Sequence, residues 1–206
     1  MPTVSKITKQ KTRPLYNLFI DGKFATSVSG ETLIKFALKS GKDIKEEELQ
    51  EIIGQTSHEK YLTSAILFIN FRPRSRKEVV TRLKKKGATP EDINSTTKKL
   101  ESYDLLDDTQ FAQWWIEGRL KNNPKSKHML FLELTKKGVD KEIARNVIDR
   151  ANTSDLKAAQ QILLKKEYLW RGLSPKEILK KATWLLGSRG FDWETIKSAV
   201  ELTSRK

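Results

Sequence analysis

The stretch Pro73-Arg74-Ser75-Arg76-Lys77-Glu78-Val79-Val80-Thr81-Arg82-Leu83-Lys84-Lys85-Lys86-Gly87 returns 51 residues later, from Pro124-Lys125-Ser126 to Lys136-Lys137-Gly138. At that offset Val79 matches Leu130, Val80 matches Phe131, Leu83 matches Leu134 and Gly87 matches Gly138. A third copy runs from Ser174-Pro175-Lys176-Glu177 to Ser188-Arg189-Gly190. Serine to glycine spans 12 positions in the first two copies and 16 in the third, so the apolar face is kept and the helix gains about one turn. Self-similarity at a fixed period of this length marks an array of supersecondary units.

The residues of the unit fit a helix with marked ends. Ser75 and Ser174 stand three before Glu78 and Glu177, the spacing of a reciprocal cap on the first free amides. Pro175 suits the first helical position, where no amide hydrogen is needed. Gly87, Gly138 and Gly190 stand where a helix turns left-handed to stop. A further helix then starts at Thr89-Pro90-Glu91, at Asp140-Lys141-Glu142 and at Asp192-Trp193-Glu194. Its apolar faces are Ile93 and Leu100, then Ile143, Val147 and Ile148, then Ile196 and Val200. Another helix precedes each capped one, over residues 59–70, 108–122 and 155–170, with Asp107 or Asp108 as cap of the second. Each unit is thus a three-helix module, with Leu105-Leu106 and Asn152-Thr153-Ser154 at the junctions.

The start of the chain differs. Residues 16–20 and 24–28 flank Asp21-Gly22, a two-residue hairpin signal. An amphipathic stretch over 31–39 and an acidic helix over 44–53 follow. The fold expected is mainly α: three tandem three-helix repeats in an elongated array, after a small N-terminal β-hairpin and helix region. The divisions expected are 1–58, 59–106, 107–153 and 154–206.

Charge bounds the partners. Forty Lys and Arg against 26 Asp and Glu give +14, a surface that attracts nucleic acid, an acidic protein face or anionic lipid. The longest apolar run, residues 65–69, is far short of a membrane span, and the basic stretch to Pro14, which includes Arg13, is followed by no apolar segment. No membrane association is expected. The absence of cysteine removes disulfides and thiolate metal sites and suits a cytoplasmic, reducing setting.

Catalytic signatures are missing. There is no glycine-rich phosphate loop and no Gly-x-Ser-x-Gly turn, and His58 and His128 have no His or Cys at ligand spacing. Asp107-Asp108 reads as a cap and helix-dipole partner before it reads as a catalytic carboxylate pair. No catalytic residue, metal or cofactor is expected.

The basic positions say more. Arg72 and Arg74 lie in the loop before the first capped helix, Arg76, Arg82, Lys85 and Lys86 fall on its outer faces, and Lys84 belongs to the same basic stretch. Lys125 and Lys127 hold the same place in the second unit, and Lys176, Lys180, Lys181 and Arg189 carry the theme into the third. Cations grouped at a helix start suit phosphate or carboxylate. An ordinary solvated face accounts for the same residues about as well. Trp114, Trp115, Trp170, Trp184 and Trp193 offer rings for base stacking, but their near-apolar spacing assigns most of them to cores or module junctions.

The series Arg72-Pro73-Arg74-Ser75, Glu78-Val79, Arg82-Leu83, Lys86-Gly87, then Leu105-Leu106-Asp107-Asp108 with Phe111-Ala112, resembles the first repeat and following junction of the RecX family of bacterial recombination regulators. Glu133-Leu134 with Lys137-Gly138-Val139, and Arg189-Gly190-Phe191 with Ile196, resemble its second and third repeats. The resemblance covers about residues 59–202. It implies a non-enzymatic monomer that binds the RecA filament on single- or double-stranded DNA, limits strand exchange and ATP hydrolysis, and damps the SOS response. The second repeat departs from the family pattern at Asn123-Pro124 and at Met129, which replaces the capping acid, so its helix start is expected to differ. The competing reading is an autonomous basic DNA-binding repeat protein that acts without RecA.

Overall fold

The structure, a computed structural model, describes residues 1–11, 14–151 and 153–204 of the chain. Arg13 and Asn152, named above, lie outside the described residues. By contacts the chain divides into two compact units, residues 1–68 with 82–103 and residues 69–81 with 104–206.

The first unit opens with three strands rather than a lone hairpin. β1 (Val4–Lys9), β2 (Leu15–Ile20) and β3 (Lys23–Ser29) form an antiparallel sheet in the order β1-β2-β3. Asp21 (φ 48) and Gly22 (φ 78) turn β2 into β3, and both angles lie in the left-handed region that such a turn demands. β1 escapes a reading by alternation because Lys6 and Lys9 make it resemble a charged tail, and lysine on an edge strand is a usual guard against stray pairing. The inward residues Val4, Leu18, Ile20 and Val28 join Leu38, Ile44, Leu49 and Ile52 in one apolar core. α1 (Gly30–Lys35) is capped by Ser29, whose side chain accepts from the Thr32 amide.

α2 (Glu46–Asn70) is a single 25-residue helix. The acidic stretch over 44–53 and the helix expected over 59–70 are therefore continuous. Gly54 and Ser57 lie between the two stretches, but a glycine costs a helix only about 1 kcal/mol and no proline intervenes. α3 (Arg76–Lys85) and α4 (Pro90–Ser102) follow, the latter closed by a full reciprocal cap between Thr89 and Asp92.

In the second unit α5 (Asp108–Asn122), α6 (Lys127–Lys136) and α7 (Lys141–Arg150) enclose Phe111, Ile116, Leu130, Leu134, Val147 and Ile148. α8 (Asp155–Lys165), α9 (Pro175–Gly187) and α10 (Trp193–Ser204) do the same around Ala159, Leu163, Leu186, Phe191 and Ile196. α8 stops at Lys165 and a short 3-10 turn, Glu167–Leu169, covers the rest of the expected helix. α9 has 13 residues where α3 and α6 each have 10, the extra turn that the longer spacing requires.

Successive middle helices are joined by one repeated device. At the first joint the Arg76 amide donates to Asp108 Oδ1 at 2.8 Å, and Ser75 Oγ donates to the Lys137 carbonyl at 2.7 Å. At the second, the Lys127 amide donates to Asp155 Oδ1 at 2.9 Å, and the Ser126 amide to the Arg189 carbonyl at 3.2 Å. Free amides at one helix start are thus met by the first residue of the next module. Gly138 (φ 88) and Gly190 (φ 84) sit against these joints. A Cβ on Gly138 would come within 2.5 Å of Lys77 Cβ, and one on Gly190 within 2.7 Å of Ser126 Oγ. Each glycine therefore serves both its helix end and the close approach of the preceding module.

Candidate partner and nucleic-acid interface

The helix starts that carry the basic residues are also knots of ion pairs. Arg72 grips Glu78 with two nitrogens, at 3.1 and 3.2 Å, and bonds the Pro73 carbonyl at 2.8 Å. Lys137 adds a third contact to Glu78 at 2.7 Å. Burial pushes the Glu78 carboxyl up, but the hydrogen bonds and charges of Arg72 and Lys137 outweigh it and hold the group below its usual range. Ser75 still caps α3 by accepting from the Glu78 amide at 3.2 Å.

A second knot centres on Glu133. It accepts from Trp115 Nε1 and from Arg119 Nε, each at 2.8 Å, and pairs with Lys125. Burial again pushes up, and the Lys125 and Trp115 hydrogen bonds with Arg119 prevail, leaving Glu133 below the usual carboxylate range. The Trp115 ring lies between Arg119 at 4.7 Å and Lys137 at 4.9 Å. Arg72 covers Trp114 at 5.6 Å, and beside them lies a cleft of about 640 Å³ lined by Arg72, Arg74, Gln110, Gln113, Trp114 and Glu117.

The sequence-derived cations therefore fall into groups. Arg72 and Lys125 are committed to half-buried acids, and Arg189 Nη1 bonds the Leu185 carbonyl at 2.7 Å. Arg74 is half-buried in the cleft wall, Lys127 is half-buried at the second joint, and Arg76 is exposed at the first. In the first unit Arg82 is exposed and lies over the Phe68 ring at 5.3 Å, while Lys84 and Lys85 are exposed in the last turn of α3. In the third repeat Lys176, Lys180 and Lys181 are all exposed along α9.

Residue spacing assigned some of the roles at the helix starts and missed others. Asp107 caps α5 through the Thr109 amide at 2.6 Å, which leaves Asp108 for the joint with α3. Ser126 keeps its cap on the Met129 amide at 3.2 Å although no acid returns the bond. Glu177 and Ser174 form the full reciprocal cap, and the Ser174 hydrogen bonds hold Glu177 below its usual range. The tryptophans divide between cores and surface. Trp115 and Trp170 pack on cores, whereas Trp184 is 79% exposed, Trp193 50% and Trp114 38%. His58 shares a 3.2 Å hydrogen bond with Ser95, and among the described residues no group of three His, Asp or Glu side chains is placed to hold a metal ion. Among the same residues no helix is long and apolar enough to cross a membrane.

Comparison with known proteins places these features. Residues 2–45 match the N-terminal domain of regulatory protein RecX, residues 62–100 its first three-helix domain and residues 107–148 its second. Regulatory protein RecX of Bacillus subtilis is 34% identical over 98% of this chain and 77% of its own length. That of Listeria monocytogenes is 32% identical over 99% and 77%. Among solved structures, a regulatory protein RecX superposes with a TM-score of 0.69 at 22% identity over the full length of both chains. RecX from Lactobacillus salivarius does so at 0.63 and 21%, over 73% of this chain and 98% of its own. These two share the fold.

Proposed function

Since the chain belongs to the RecX family of regulatory proteins, we propose that it binds the RecA filament on DNA and limits strand exchange, ATP hydrolysis and SOS induction. The observation that carries this reading is the sorting of the cations. Arg72 and Lys125 neutralise half-buried acids and so hold their helix starts in place, while Lys84, Lys85, Lys176, Lys180 and Lys181 stay exposed for a polyanion. Arg76, Arg82, Lys127, Arg74 and Arg189 complete the proposed contact set. The net charge of +14 favours encounter with a filament that carries DNA phosphates.

A titration of RecA ATPase on single-stranded DNA tests the proposal. Inhibition at protein far below the RecA concentration is the expected result, and no effect of an excess on ATPase or strand exchange sinks it. The same charge favours the reading in which the protein binds bare DNA and acts without RecA. Weak binding to bare DNA beside strong binding to the filament decides against that reading.

A further inference from the structure

Trp184 lies on the solvent side of α9. Successive residues of a helix advance about 100°, so Lys176, Lys180, Trp184, Glu177, Ser188 and Lys181 fall within one arc of about 140°, and every one of them is exposed. The buried residues Ala182, Leu185 and Leu186 occupy the opposite arc against the third-repeat core. Trp184 stands near the middle of the open arc, with Lys180 four residues before it and Lys181 three before it, the spacings at which helical side chains are neighbours. Glu177, the acid of the arc, turns its carboxylate back to Ser174, accepting from its amide at 2.8 Å and its hydroxyl at 2.7 Å.

Three of the other four tryptophans have partners, and the fourth, Trp193, is 50% exposed at the start of α10. Trp115 is held between two cations and Glu133, Trp114 lies under Arg72, and Trp170 donates to the Leu163 carbonyl at 3.1 Å. Among the described residues the Trp184 indole has no hydrogen bond, stacked ring or cation partner, and it is 79% exposed. An indole in water contributes nothing to the fold, and a smaller polar residue would complete the same helix face.

We propose that the α9 face is a binding site for single-stranded nucleic acid, in which an unpaired base stacks on Trp184 while Lys176, Lys180 and Lys181 hold the flanking phosphates. Stacking and backbone neutralisation together are the usual means of holding a strand without reading its sequence. From Lys176 to Trp184 the helix rises about 12 Å, a length that a strand of a few nucleotides spans. A duplex keeps its bases paired and stacked inside, so it meets the lysines but not the ring. The site deepens the proposed function by naming the polyanion it takes, and it rests on that reading only for the sign of the partner's charge.

The test measures binding of a fluorescent oligothymidylate, and of a duplex of equal length, to the full chain. Trp184→Ala is expected to weaken single-strand binding about tenfold, with duplex binding unchanged. Trp184→Phe keeps most of the affinity because it keeps a ring, and Trp184→Leu does not. Alanine is a strong helix former and the site is exposed, so circular dichroism should show the same helix content in every variant. Single-strand binding that Trp184→Ala leaves intact overturns the proposal, as does equal loss on duplex, or no binding by the wild type. So does a variant that binds the oligonucleotide normally but no longer inhibits RecA ATPase, since the face would then dock on protein. If the wild type has no effect on RecA yet its oligonucleotide binding depends on the ring, the regulatory reading fails and this site stands.

Discussion

Ser75 Oγ accepts a 3.2 Å hydrogen bond from the Glu78 amide and donates one of 2.7 Å to the Lys137 carbonyl, so one hydroxyl both caps α3 and fastens it to the end of α6. The residue is fully buried, whereas its counterpart Ser174 is exposed. Ser75→Ala is expected to cost about 2 kcal/mol or more, because the cap is lost and the part-buried Lys137 carbonyl loses a partner. Ser174→Ala should cost about 1 kcal/mol for the cap alone. Urea unfolding of the two variants checks the order, and equal losses would show that the joint adds nothing.

Gly87 and Gly138 end equivalent helices with similar positive φ, 80 and 88, but only Gly138 has a neighbouring module against it. Gly87→Ala should therefore cost the strain of a left-handed alanine, about 1–2 kcal/mol. Gly138→Ala adds a collision with the Lys77 Cβ, which should raise the loss by a further 1–3 kcal/mol or so. Thermal unfolding of both variants measures the difference.

Glu78 and Glu133 are held below their ordinary value of 4.5 in the folded protein. A depressed carboxyl stabilises the fold fully above its unfolded value, and that contribution is lost as pH falls through the folded one. Stability should therefore decline below pH 4.5. The melting-temperature gap between wild type and Glu133→Gln should be widest near neutral pH and narrow in acid. A gap that stays constant down to pH 3 would contradict this assignment.

Charge reversal should separate the modules. Lys180→Glu with Lys181→Glu is expected to weaken oligonucleotide binding and to flatten its salt dependence by about 0.7 log units per lost phosphate contact. Lys84→Glu with Lys85→Glu tests the first repeat in the same way. Lys125→Glu should act mainly on stability, since Lys125 pairs with the half-buried Glu133. Titrations across salt concentrations, beside melting curves, distinguish these effects.

The helices were legible because their ends are written in residues of fixed chemistry: Ser174 with Glu177, Thr89 with Pro90, and glycines at 87, 138 and 190. The sheet was legible where Asp21-Gly22 marked the turn, and illegible at β1, where lysines mask the alternation. α2 was read as two segments because local composition cannot show that tertiary packing outweighs a central glycine. For the interface, spacing found the cations but not their commitments. Arg72 and Lys125 look like Lys84 and Lys180 in a sequence, and only the fold brings Glu78 and Glu133 to the first pair. Asp108 and Asp155 carried a signal, since each opens a helix at a similar distance beyond Ser75 and Ser126. Its meaning depends on a contact between modules.

The joint has a direction. One side offers a backbone N–H at the residue after the serine, Arg76 or Lys127, and the other offers an aspartate. In the third repeat that position is Pro175, which has no hydrogen to give. Its helix start is instead completed from within by Ser174 and Glu177. The first two modules are couplings, each left open until the next one closes it. The third is a buffer stop: whatever packs there must use another chemistry, and the face it leaves in solvent is the one that carries Trp184.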